Sequence, residues 1–320
     1  MRYWFSYTIS VVLLGIFFSL LYYIFNPYRT QTYASPVPDF LVLKNNSQAT
    51  FLDLWTPLFE TFASGNQVPE IQAKSALIYD LKNEKVIYEK NASNKLPMAS
   101  LTKIMTAVIA LEDNNMPDTY EVSSHDLVGE DTMGLSVGEI LTKEELLYGL
   151  MLNSGNDASE VLASNYSQGR EGFLKAMHNK AKVLGLSDTV FSNPSGLQGD
   201  GTQYTTAKDL LILTKYAIDN FPLFIQIAST YEYHIPANND HKEFYLINET
   251  NLLSTYDGVK GVKTGFTPEA GMCLVTYYEK NGVKLIGILL NSPDRRSEMR
   301  NLLDYSLNTL GVNSSNNDQV

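Results

Sequence analysis

Apolar positions come first as one unbroken run and afterwards in two different periods. Residues 4–25 form a stretch of 22 without a charge, dense in Val, Leu, Ile and Phe. Wound as a helix rising about 1.5 Å per residue, such a run spans about 33 Å, enough to cross a hydrocarbon core of about 30 Å. Tyr3, Trp4, Tyr22, Tyr23 and Tyr28 stand near its two ends, where amphipathic rings favour the membrane interface. A cleaved signal peptide has a shorter apolar region with a small-residue site close behind it. Here the passable site, Thr32-Tyr33-Ala34, ends nine residues beyond the run. The pattern predicts a retained membrane anchor over residues 1–26, or a secreted protein if that segment is cleaved.

Residues 27–70 carry Pro27, Pro36, Pro38, Pro57 and Pro69 among polar and aromatic residues and read as a tether, with one short helix expected over 51–63. From about residue 71 the pattern tightens. Residues 75–80 and 85–89 are β-rich runs joined at 81–84, a predicted hairpin. Ile104, Ala107, Val108 and Leu111 lie at helical spacing within a helix predicted over 100–112. Thr142 and Glu145 form a capping box that opens a helix to about 152. Further helices are predicted over 158–165, 171–184 and 206–219. Strands follow over 258–264, 271–279 and 283–290, the last two joined at Asn281-Gly282, a type I′ hairpin signal. Ser292-Pro293 is expected to cap a closing helix to 310, with Gly311 just past its end.

Strands first, helices between, then strands and a helix last predict an α+β fold. A single antiparallel sheet flanked by helices joins both ends of a domain over 71–312, with a mainly helical region inserted. The polar tail 313–320 is expected to be disordered.

Composition narrows the chemistry. The 320 residues suffice for one large domain or two modest ones, and 44% hydrophobic with 18% charged residues is ordinary globular usage. A formal charge of −11 excludes nucleic acid as a partner, because phosphate binding draws on clustered Lys and Arg. The single cysteine, Cys273, permits no intramolecular disulfide and sits in the apolar run Met272-Cys273-Leu274-Val275, which predicts a buried thiol. His125, His178, His234 and His241 lack the H-x-x-x-H spacing of a zinc peptidase, so neither a metal nor a cofactor is expected.

Three short motifs carry candidate chemistry. Ser100-Leu-Thr-Lys103 sets a hydroxyl and an amine three residues apart, on one face at the start of a helix, as an activated nucleophile requires. The triplet is common by chance and equally reads as a capped helix with a solvated lysine. Ser154-Gly155-Asn156 follows a helix in a turn-like sequence; Ser64-Gly-Asn66 and Ser306-Leu-Asn308 show how cheap that pattern is. Lys263-Thr264-Gly265 closes a predicted strand. There, lysine and threonine offer charge and a hydroxyl to a carboxylate, and glycine leaves room for a ligand backbone; an ordinary polar strand end reads the same.

In this order the three match the motif set of penicillin-binding proteins and class A β-lactamases. Pro97-Met-Ala-Ser-Leu-Thr-Lys-Ile-Met-Thr-Ala107, Leu152-Asn-Ser-Gly-Asn-Asp-Ala158, Phe191-Ser-Asn-Pro-Ser-Gly-Leu197 and Gly261-Val-Lys-Thr-Gly-Phe-Thr-Pro-Glu-Ala-Gly271 resemble the low-molecular-weight D-alanyl-D-alanine carboxypeptidases. The resemblance covers residues 71–311 and implies the β-lactamase/transpeptidase-like fold. Where that family usually carries His, this chain has Ser195.

By that resemblance Ser100 attacks the penultimate D-alanine carbonyl of a peptidoglycan stem peptide. Lys103 takes its proton, its pKa lowered by burial and by Lys263. Ser154 relays a proton to the departing D-alanine, and Asn156 holds the amide side chain of the substrate. Lys263 and Thr264 receive the terminal carboxylate, and Gly265 leaves room for the bound substrate backbone. The backbone N–H groups of Ser100 and Phe266 form the oxyanion hole, and β-lactams acylate Ser100 as covalent inhibitors. The resemblance also requires an extracytoplasmic domain, which the anchor predicted from the apolar run 4–25 would hold to the membrane. Many members add a β-rich second domain and a C-terminal amphipathic helix; the sequence shows neither, and the N-terminal helix is expected to take over the anchoring.

Three rivals share these residues. A class A β-lactamase needs a deacylating glutamate in an E-x-x-L-N loop, and the nearest sequence, Glu171-Gly-Phe-Leu-Lys175, does not fit it. An endopeptidase of D-alanyl cross-links uses the same site. A silent tethered peptidoglycan binder has no use for Ser100, Lys103, Ser154 and Lys263 together.

Overall fold

Alternation of period two, with both faces apolar, builds the frame. The computed structural model describes residue 55, residues 57–59 and residues 67–312 except 114–116 and 200. The anchor over 4–25 and the tail over 313–320 lie outside the described residues; among those described, no single helix is long and apolar enough to cross a membrane.

In chain order the elements are β1 (Ser75–Asp80), β2 (Lys85–Lys90), a 3-10 turn (Ala99–Thr102), α1 (Lys103–Glu112), β3 (Thr119–Glu121), β4 (Ile140–Thr142), α2 (Lys143–Leu152), α3 (Asn156–Ser164), α4 (Gly169–Val183), α5 (Ala207–Asn220) and α6 (Pro222–Ala228). Then come β5 (Glu232–Ile235), β6 (Phe244–Ile247), α7 (Leu252–Thr255), β7 (Val259–Thr267), β8 (Gly271–Lys280), β9 (Val283–Ser292) and α8 (Arg295–Thr309). Five strands form one antiparallel sheet in the order β2-β1-β9-β8-β7, so the two chain ends of the domain meet at β1 and β9. This is the predicted α+β arrangement.

The sheet separates two cores. Leu77 and Tyr79 of β1 with Ile286 and Ile288 of β9 face the helical insertion, where every residue of α1 from Lys103 to Ala110 is buried. Ala76, Ile78, Leu285 and Leu289 face the other way, onto Met299, Leu302 and Leu303 of α8. Residues i and i+2 share a face of a strand, so one run of apolar residues fills both layers.

Several boundaries move. The expected helix 100–112 starts as a 3-10 turn, with Ala99 at a φ of 49°, and becomes α-helical only at Lys103. The strand expected to end at 264 runs on to Thr267, because Gly265, Phe266 and Thr267 pair with Cys273, Met272 and Gly271. Lys263-Thr264-Gly265 therefore lies inside an edge strand rather than at its end. Asp294, not Ser292-Pro293, caps α8: its side chain accepts from Ser297 N, while Ser292 closes β9. Of the short helix expected over 51–63, Trp55 and residues 57–59 are the described part, and they are not helical. Trp55 instead lies edge-on against Tyr79, ring centroids 5.5 Å apart.

Candidate active site

Two strained turns and one edge strand bring the chemistry together. Ala99 and Ser154 both hold positive φ, 49° and 56°, a conformation that costs a non-glycine residue of order 1–3 kcal/mol. The first turn raises Ser100 at the start of α1, and the second sets the Ser154-Gly155-Asn156 turn between α2 and α3. The capping box on α2 is formed: Thr142 accepts from Glu145 N, and the Glu145 carboxylate takes the Thr142 N–H at 2.8 Å.

Lys103 is fully buried and stands at the centre. Its Nζ lies 2.9 Å from Ser100 Oγ, 2.6 Å from Asn156 Oδ1 and 2.6 Å from the Ser195 carbonyl. Burial, and then the charge of Lys263, hold its pKa well below the ordinary lysine value. Lys263 is also buried, which lowers it to about 8; Glu249 and Asp131 oppose that shift and Arg295 adds to it. The two amines therefore differ: burial and the neighbouring ammonium push Lys103 toward its neutral form, while Lys263, at about 8, remains mostly an ammonium at neutral pH.

Gly265 lets β7 approach Ser100. A Cβ there would stand 3.1 Å from Ser100 N, 3.1 Å from Met98 O and 3.2 Å from Ala99 Cβ. Thr264 is buried, whereas the Phe266 ring is exposed. Ser154 is buried two residues before Asn156. The Asn156 carboxamide is engaged at both ends, accepting from Lys103 and donating to the Glu130 carbonyl, so in this structure it aims the amine. Of the two decoys, Ser64-Gly-Asn66 lies outside the described residues, and Ser306 bonds within its own helix to Leu302 O at 2.6 Å.

Sequence reading missed four contributors. Asn193 Oδ1 takes the N–H groups of Ser195 and Gly196, at 3.2 and 2.7 Å, and so fixes the loop whose Ser195 carbonyl holds Lys103. Gly196, at a φ of 88°, has its missing Cβ 2.0 Å from Ala99 O, so this loop and the Ala99–Ser100 turn touch backbone to backbone. Asp157 takes Met133 N, Gly134 N and Leu135 N at 3.0–3.1 Å and ties down the loop beside Asn156. Arg295, in the first turn of α8, donates to the Gly265 carbonyl at 2.8 Å and adds positive charge behind β7. A cation there opposes the helix dipole, and that misplacement was the available signal.

Residues 62–294, more than half of the chain, match the peptidase S11 family, D-alanyl-D-alanine carboxypeptidase. The chain belongs to that family. Among relatives, the D-alanyl-D-alanine carboxypeptidase DacF of Bacillus subtilis (strain 168) is 36% identical over 244 residues, covering 73% of this chain and 62% of its own. This chain thus spans less than two thirds of that relative. A D-alanyl-D-alanine endopeptidase of Escherichia coli (strain K12) is 35% identical over 213 residues, covering 65% of this chain and 67% of its own. The crystal structure of the Streptomyces K15 DD-transpeptidase superposes with a TM-score of 0.71 at 30% identity, over 76% of this chain and all 100% of that one. This carboxypeptidase-family chain thereby has the fold that the sequence motifs implied.

Proposed function

We propose that the protein is a serine D-alanyl-D-alanine carboxypeptidase that removes the terminal D-alanine from peptidoglycan stem pentapeptides. The observation that carries the reading is the buried, deprotonable Lys103 amine 2.9 Å from Ser100 Oγ. A weak alcohol with a base in hydrogen-bond reach is an activated nucleophile.

Ser100 Oγ attacks the carbonyl carbon of the penultimate D-alanine as its proton passes to Lys103 Nζ. The oxyanion develops toward the N–H groups of Ser100 and Phe266, and losing one such donor typically costs about 2.7–4 kcal/mol of barrier. Collapse of the tetrahedral species breaks the C–N bond, and Ser154 passes a proton to the leaving amine. The Lys263 ammonium, the Thr264 hydroxyl and Arg295 bind the terminal carboxylate, which supports specificity for a free chain end. Water then adds to the acyl-enzyme and frees Ser100. β-Lactams enter by the same attack and leave slowly.

Incubation with a fluorescent penicillin followed by gel electrophoresis should label the wild-type chain and leave Ser100→Ala unlabelled. The wild type should release D-alanine from a pentapeptide ending in D-Ala-D-Ala. Labelling without release, together with cleavage of a D-alanyl cross-linked dimer, would shift the assignment to endopeptidase, the activity named for the Escherichia coli relative. We place the domain outside the cytoplasm, tethered by residues 4–25; a chain lacking residues 1–26 that still sediments with membranes would remove that anchor.

A further inference from the structure

Beyond β6 the alternation of exposed and buried residues continues toward the cleft. Phe244, Leu246, Asn248 and Thr250 are buried, whereas Tyr245, Ile247 and Glu249 are exposed on the opposite side. Backbone and side-chain bonds hold the stretch. Asn248 Nδ2 donates to the carbonyls of Ala228 and Thr230, at 3.1 and 3.0 Å, and its Oδ1 accepts from Thr250 N at 2.9 Å. Glu249 N donates to Leu152 O at 3.2 Å, immediately before the turn that carries Ser154, and Ile247 N donates to Asn153 Oδ1 at 3.0 Å. Glu249 is thereby fixed at the mouth of the site.

Its carboxylate meets Thr264: Oγ1 donates to Oε2 across 3.3 Å. Lys103, Lys263 and Arg295 all feel its charge, which holds up their protonated forms. This is the hydroxyl that the proposed function gives to the substrate's terminal carboxylate. One Thr264 hydroxyl has one proton to donate, and two carboxylates sharing it repel.

We propose that Glu249 is a specificity-determining residue of the leaving-group subsite: an anion beside Thr264 that weighs against a free terminal carboxylate and favours a terminus bearing N–H donors, such as a carboxamide. A carboxamide gives N–H to Glu249 while its carbonyl still accepts from Thr264 or Arg295. Against the two cations Lys263 and Arg295, Glu249 leaves the subsite one positive charge poorer than they alone would make it. Ile247, exposed on the same side, adds apolar surface for a leaving residue larger than alanine. The proposal rests on Thr264 facing the leaving group, as in the proposed function.

The test uses the full-length chain in detergent as wild type, Glu249→Gln and Glu249→Asp. Two pentapeptides serve as substrates, one ending in D-alanine with a free carboxylate and one in D-alaninamide. Acylation by an anionic penicillin is followed in parallel. Two unit charges about 4 Å apart in water interact by about 1 kcal/mol, so at a pH well below 8, where Lys263 keeps its proton even without Glu249, Glu249→Gln should raise kcat/KM for the acid peptide roughly fivefold or more, through KM. It should not raise that for the amide, and Glu249→Asp should keep the wild-type preference. Penicillin acylation should quicken in Glu249→Gln by a similar factor. An acid-to-amide ratio in Glu249→Gln within about twofold of wild type overturns the proposal, being smaller than one screened charge pair produces. If neither peptide is turned over, an unchanged penicillin acylation rate overturns it instead. A wild type that releases no D-alanine, while Glu249→Gln still speeds acylation, sinks the carboxypeptidase reading and leaves the role of Glu249 standing.

Discussion

Two lysines of one chemical kind are made different by their surroundings. In the proposed mechanism Lys103 must be neutral to take the Ser100 proton, and its pKa is lowered by burial and by Lys263. By the same proposal Lys263 must be charged to bind a carboxylate, and burial brings its pKa down to about 8. D-alanine release should therefore rise with pH as Lys103 loses its proton and fall again as pH passes about 8 and Lys263 loses its own. A kcat/KM profile that stays flat well above that point would take Lys263 out of carboxylate binding. At this scale the sequence revealed residue types joined by short spacing. Ser100 and Lys103 are three apart on a nascent helix, and that contact was legible. Arg295 was not, since it acts across the fold on the Gly265 carbonyl; Asn193 Oδ1 bonds only two and three residues on, but the loop it fixes reaches Lys103 from 92 residues away, which no local pattern names.

Elements with several turns or several alternations were legible because their periodicity repeats. The helices α2, α4 and α5 lie within two residues of expectation, and Thr142 caps α2 as predicted. Thr142→Ala should cost about 1 kcal/mol, the usual worth of such a cap, read as a lower midpoint in urea unfolding. Penicillin labelling should survive, since the cap lies a full helix away from Ser154. Elements of three or four residues were missed: the hairpins β3–β4 and β5–β6 are too short to show a period against their neighbours. The end of β7 was also missed, because its last three residues are strand only by pairing with β8.

For the whole molecule, one buried carboxylate ties the start of the domain to its end. Glu298 of α8 accepts from Gln72 N and Ala73 N, just before β1, and from Ser292 Oγ at the close of β9. Glu298→Ala leaves those donors without a partner and should cost about 1.5–3 kcal/mol, as hydrogen bonds to charged groups do. Calorimetry would show a lower Tm; an unchanged Tm would mean that water replaces the carboxylate. The sheet order was legible only as a class, since register follows from pairs nearly the length of the domain apart, such as Ala76 with Leu289. That order also sets a schedule. The ribosome makes the nucleophile turn long before β7, so a nascent chain carries Ser100 beside a lysine still in water, with an ordinary proton affinity. On the proposed mechanism the hydroxyl stays chemically quiet until the last strands arrive, and the completion of folding itself switches the reaction centre on.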